Sequence, residues 1–285
     1  MQIAKTTTQI LAALLVLTVG SSAFAQEAPK MQPKQHPSFT KRNLPTPTGV
    51  VEVIAGPSST YNIGTSNLFG IQNGAGLNFT RSSFGDSSNT AVSLSAGAAY
   101  GVNNDLSVGA MVLPLQIDPD FEYGNPSLFS HYRILRGLFE GVGRVAVTIP
   151  VLENANLGIQ AGGLFRKRDA GFRIDFGLLL DIELADETVL SLNAPVAAYF
   201  QATPEIFAGL KTGVNVFALT EDGAGDRINI PLALEGGYTL SNAAGPMADL
   251  SLNIGFPAFY NSGSGDITTF DLLQVGIGAS YYLTL

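Results

Sequence analysis

Arg173, Asp175, Asp181 and Glu183 fall at alternate positions of the run Phe-Arg-Ile-Asp-Phe-Gly-Leu-Leu-Leu-Asp-Ile-Glu-Leu, residues 172–184. Side chains two residues apart share a face only on an extended strand, so this spacing gathers a guanidinium and three carboxylates along one side. Phe172, Ile174, Phe176, Leu178, Leu180, Ile182 and Leu184 fill the other side. Such a charged face can pair internally, hold water or line a polar passage. The same alternation elsewhere adds Arg144, Lys211, Asn215, Arg227, Asn229 and Glu235, with Asn253, Gln274, Arg133 and His131 as further candidates. Both charge signs occur, without a long stripe of either.

Catalytic chemistry finds little support in these residues. There are only two histidines, and His36 lies in a proline-rich stretch. His131 is the one candidate general base, and a hydrogen-bonding filler is the simpler role for a lone histidine. His-Glu-x-x-His and Gly-x-Ser-x-Gly are both absent. Gly141-Val-Gly-Arg-Val-Ala146 matches a dinucleotide fingerprint in letters. It opens a strand, however, where that chemistry needs a helix N-terminus. Asp118, Asp120 and Glu122 alternate in an expected outer loop. They suit solvated loop acids better than a Ca²⁺ site. No enzyme activity, cofactor or metal is expected.

Lys5, the apolar run from Ile10 to Val19 and Ser-Ala-Phe-Ala ending at Ala25 make an n-region, an h-region and an Ala-x-Ala site. That is a secretory signal peptide, cleaved after Ala25. No cysteine occurs anywhere, which excludes disulfides and a lipoprotein anchor. Charged residues are 13% of the chain, with 17 Phe and 9 Tyr but no Trp, against about 25% charged in ordinary soluble domains. Nothing after Ala25 approaches the roughly 18–20 unbroken apolar residues of a spanning helix. A chain this apolar can hide its backbone from lipid by closing a β-barrel, in which every amide pairs between strands. The net charge of −8 is dispersed, and no basic cluster suggests nucleic acid.

Residues 26–49 carry Pro29, Pro33, Pro37, Pro45 and Pro47 among lysines and arginines. They are expected to form a disordered periplasmic linker, open to proteases. Residues 50–71 are ambiguous between extra strands and a plug in the lumen. From Gln72 the signal is regular, with strands expected at 72–82, 90–101, 105–117, 125–136, 140–150, 156–166, 170–184, 188–201, 204–219, 227–240, 246–258 and 270–285. Each is close to the roughly 9–11 residues that a tilted strand needs to cross the hydrocarbon layer. Turn-forming runs such as 101–105, 221–226 and 261–266 separate them. Tyr100, Tyr132, Phe165, Tyr199 and Tyr238 recur near strand ends at about one hairpin's spacing, as an interfacial aromatic girdle would.

The stretch 72–285 resembles a bacterial outer-membrane β-barrel protein, porin-like in the broad sense. The final strand, Gln-Val-Gly-Ile-Gly-Ala-Ser-Tyr-Tyr-Leu at 274–283, resembles the C-terminal insertion signal of such barrels, although the chain ends on Leu285 where an aromatic is usual. The resemblance implies a closed antiparallel transmembrane barrel of twelve strands, or fourteen if 50–71 supplies two more. It further implies outer-membrane lipid and lipopolysaccharide around the barrel, and the barrel-assembly machinery as a partner of the last strand. Two functions remain open on these residues: a passive channel for small polar solutes or ions, and a non-conducting structural or binding barrel with an occluded lumen. A soluble secreted β-sandwich is the residual alternative.

Overall fold

The alternating runs do form strands, and the strands close on themselves. The structure, a computed structural model, describes residues 38–285 apart from 57–75, 83–89, 112–114, 119, 124, 152–155, 186–187, 218, 220–227, 243–244 and 263–271. The expected signal peptide, residues 26–37, residues 57–71 and Arg227 therefore lie outside the described residues. Fifteen strands are described. They are β1 (Val50–Gly56), β2 (Gly76–Ser82), β3 (Thr90–Gly101), β4 (Leu106–Met111), β5 (Leu115–Asp118), β6 (Asp120–Tyr123), β7 (Ser127–Leu135), β8 (Phe139–Thr148), β9 (Leu157–Asp169), β10 (Phe172–Leu184), β11 (Thr188–Gln201), β12 (Ile206–Val216), β13 (Ile228–Asn242), β14 (Gly245–Asn261) and β15 (Leu272–Thr284).

All neighbouring strands pair antiparallel, in the order of an up-and-down meander. The ring closes through β1 and β2, which occupy one position in line. Val51 to Gly56 face Tyr100 to Ser95 of β3, and Val50 to Ala55 face Thr284 to Ala279 of β15. Further along the same two partners, Leu77 to Arg81 face Leu94 to Thr90, and Gly76 to Ser82 face Gly278 to Leu272. β4 and β5 likewise share one position beside β3, and β6 and β7 share the next. The wall thus has twelve positions. Residues 50–56 add a strand without adding a position, because they complete the lower half of the one that β2 completes above. That removes the fourteen-strand alternative and moves the start of the barrel from Gln72 to Val50.

Connections at one end are short, at 102–105, 136–138, 170–171 and 202–205. Short turns mark the periplasmic end of such barrels. Tight reversals there use glycine in left-handed conformations, Gly137 at φ 114° and Gly171 at φ 143°.

Burial along β10 follows its sequence period. Leu178 is 54% exposed on the outside, whereas Leu179 is 1% exposed within. Arg173, Asp175 and Asp181 are also buried, while Leu234, Leu252, Ile254 and Ile277 project outward from other strands. The expected girdle needs one correction. Tyr100, Tyr132 and Tyr238 face outward, but Tyr199 is buried in the lumen and its neighbour Phe200 takes the outer position. A tyrosine is amphipathic enough for either face, and here the strand register decides.

An arginine at Leu178 would have to enter hydrocarbon. Leu178→Arg is expected to cost about 2–4 kcal/mol of folding stability in bilayers, and Asp181→Asn less, because its inward group exchanges one polar partner for another. Gel mobility of heated and unheated samples after folding into vesicles measures this. Greater damage from Asp181→Asn would reverse the inside and outside faces.

Candidate functional site

The inward face carries two polar layers. The lower one lies just above the short turns. Arg166 of β9 donates from Nε and Nη2 to the two Asp175 oxygens at 2.6 and 2.9 Å, and Arg173 Nε lies 3.0 Å from the same carboxylate. All three side chains are buried. Arg133 and Arg168 flank Glu140 at 2.9 and 3.8 Å, and Lys211 meets Glu235 at 2.5 Å while Tyr199 Oη donates to Glu235 at 3.0 Å. Charges withdrawn from water are tolerable only when paired and hydrogen-bonded, which accounts for the density of partners.

The lower layer also contains part of the chain expected to be a linker. Residues 38–49 lie inside the mouth, with Phe39, Thr40, Arg42, Leu44 and Thr46 buried. A single 3₁₀ turn at Phe39–Lys41 begins this stretch. The Phe39 ring stacks on Phe207, with centroids 3.8 Å apart and planes at 6°, and meets Tyr199 edge-on at 5.1 Å. Arg173 caps the ring at 4.0 Å. Leu44 packs with Val142, Leu164 and Leu179. Arg42 forms a salt bridge with Asp249, donating from Nη2 to Oδ1 at 2.9 Å and from Nη1 to Tyr282 Oη at 2.5 Å. The disordered-linker expectation is therefore corrected for 38–49. Its few apolar side chains could not fold alone, but the barrel interior supplies the surface that they bury.

Glycines make room for this. The rings of Tyr199 and Phe207 lie flat across Gly209 and Gly237 of the adjoining strands, where a Cβ would strike each ring. Gly101 admits the backbone at Thr46 and Pro47 to a distance that no side chain would allow. Gly49, at φ 73°, turns the chain out of the lumen into β1.

The second layer stands farther from the turns. Arg144 donates to Gln160 Oε1 at 2.7 Å and lies 2.7 Å from His131 Nε2. Gln160 donates to Asp181 at 2.8 Å, and Asn193 hydrogen-bonds to the same carboxylate. Asn193, Asn215 and Asn229 stand side by side in register across β11, β12 and β13, all buried. Glu183 is half-buried and accepts from Asn156 at 2.8 Å. The structure thus brings together Arg173 with Asp175, Lys211 with Glu235, and Arg144 with Asp181 through Gln160. Arg133 and His131 also lie inside, in separate layers.

Several lumen residues escape the sequence reading. Glu140 shares the inward phase of Arg144 on β8, and Asp249 that of Asn253 on β14, so a stricter period-2 count along those strands would have found them. Arg166 and Gln160 lie on β9, where no candidate set the phase. Arg42 and Phe39 have no such signal, because nothing local tells a short basic, proline-flanked segment that it has a cavity to enter.

Asp175→Asn leaves Arg166 and Arg173 without their shared counter-charge, so it should cost about 3–5 kcal/mol, seen as a lower temperature for the gel-mobility shift. In the folded protein the peptide bonds after Lys41 and Arg42 should resist trypsin. Gly101→Val, which collides with Pro47, should expose them.

No family model matches the chain, and no curated protein matches it either. Among solved structures the barrel is similar to the NanC porin, at 9% identity and TM-score 0.51 over 73% of this chain and 100% of that one. It is also similar to an outer membrane channel from Pseudomonas putida F1, at 9% identity and TM-score 0.51 over 84% of this chain and 97% of that one. At such identities the likeness is one of fold: the chain has the closed antiparallel architecture of bacterial outer-membrane β-barrels.

Proposed function

We propose that the protein is an outer-membrane channel that passes small polar solutes or ions passively. The observation that carries this reading is the division of the closed wall, with aliphatic side chains outside and a two-signed, amide-rich lining inside. An apolar exterior band and a polar interior suit a barrel that holds water within lipid. The resemblance to structures described as a porin and a channel points the same way. Lipid and lipopolysaccharide would surround the wall, and β15 would present the assembly signal. Arg144 and Asp181, linked by Gln160, leave the upper layer without a dominant sign, so selectivity between anions and cations would be weak.

One observation favours the second reading, a non-conducting barrel: the segment 38–49 lies across the periplasmic mouth. Planar-bilayer recording separates the two. Stable single-channel steps support the channel, and silence from folded protein supports the closed barrel. If steps occur, Arg144→Gln should move the reversal potential in a salt gradient toward cation preference and Asp181→Asn toward anion preference. Identical reversal potentials in all three proteins would remove this layer from the conducting path.

A further inference from the structure

The contacts to residues 39–44 have the form of peptide recognition. Arg173 Nη1 donates to the Phe39 carbonyl at 2.8 Å and Arg168 Nη1 to the Lys41 carbonyl at 2.8 Å. Arg166 Nη1 donates to the carbonyls of Arg42 and Asn43, both at 3.0 Å. In the opposite sense Glu140 Oε2 accepts from the Leu44 amide at 2.8 Å. The wall thus reads main-chain groups, which any peptide carries, and it does so with side chains already oriented by their own ion pairs. Three sets of side-chain contacts add sequence preference. An aromatic seat made by Phe207, Tyr199 and Arg173 takes Phe39. An acidic seat at Asp249, completed by Tyr282, takes Arg42. An aliphatic seat at Val142, Leu164 and Leu179 takes Leu44. Lys41, between them, points to solvent.

We propose that the periplasmic mouth is a peptide-binding site for the pattern Phe-x-x-Arg-x-Leu, and that residues 39–44 are its resident and removable occupant. Main-chain donors and acceptors supply sequence-independent affinity, and the three seats supply selectivity, the same division of labour that other peptide-binding surfaces use. Because residues 45–49 tether the occupant directly to β1, it binds at the high effective concentration of a short linker. An added peptide of the same pattern competes poorly until the resident is weakened. The inference does not depend on whether the barrel conducts, since its readout is binding.

The test uses the full chain carrying Phe39→Ala and Arg42→Ala, checked for folding by gel mobility. Asp249 then keeps Thr239 and Tyr282 as hydrogen-bond donors, at 2.7 and 3.0 Å, but loses its counter-charge, which is why folding is checked first. The probe is a fluorescein-labelled synthetic peptide of residues 37–46, followed by anisotropy. Saturable binding to the double variant is expected, at least about tenfold tighter than to the unmodified protein, whose own segment competes at roughly millimolar effective concentration. Replacing the phenylalanine of the peptide by alanine should weaken binding at least about tenfold, as expected for an aromatic anchor in a central pocket. Equal binding to both proteins, or none to the folded double variant, overturns the proposal. A second measurement uses the absence of native cysteine. Thr40→Cys, at a buried position, should react with maleimide far more slowly than Ala202→Cys in an exposed periplasmic turn, and Asp249→Asn should speed it. Equal rates for Thr40→Cys and Ala202→Cys would show that the seat is not occupied, and that too overturns the proposal.

Discussion

The structure depends on one constraint: in hydrocarbon no backbone amide can be left without a partner, so the wall has to close. Closure is most demanding where the chain ends meet, because β15 and β3 must be bridged over their full length. Neither β1 nor β2 is long enough, and the structure places them in line in one position, each bridging about half of the seam. The same device, two short strands in line, recurs beside it in β4 with β5 and in β6 with β7.

Closing the wall fixes what each face must carry. The outer face meets lipid and takes the aliphatic half of every alternation. The charged half is driven inward, where the buried ions need partners. Arg166 and Arg173 share Asp175, Glu140 serves Arg133 and Arg168, and Glu235 serves Lys211 and Tyr199. Such pairs contribute little net stability, but losing one member is costly because the other charge stays buried. They also orient the guanidinium groups, and further N–H donors of Arg166, Arg168 and Arg173 meet the carbonyls of Phe39, Lys41, Arg42 and Asn43. The ion pairs of the wall and the seating of the N-terminal segment are therefore one network.

Small residues complete it. Gly209 and Gly237 let the Tyr199 and Phe207 rings lie flat on the inner wall, which is the surface that Phe39 stacks on. Gly101 lets the backbone at Thr46 and Pro47 pass against β3. A side chain at Gly237 or Gly101 would act on the segment in the mouth without changing any charge, whereas one at Gly209 would also displace Tyr199, which donates to Glu235.

The alternation alone shows the class of fold and, on strands as regular as 172–184, which residues share a face. A period of two over 172–184 leaves no choice about which residues are companions, and the shortage of charge points those companions inward. Arg173, Asp175, Asp181, Lys211, Asn215 and Glu235 are legible on that ground. Partnership is not, because period fixes direction but not register. That Arg166 meets Asp175 follows from the pairing of β9 with β10, in which the two residues stand opposite each other. That Tyr199 faces Glu235 inside, and not the lipid interface, likewise follows from the run of β11, β12 and β13. Residues 38–49 show the limit most clearly. Proline and basic residues with little apolar surface cannot fold alone, and locally they do look like a linker. Only the assembled barrel supplies the aromatic, acidic and aliphatic seats for Phe39, Arg42 and Leu44, and those seats are built from strands more than ninety residues further along the chain.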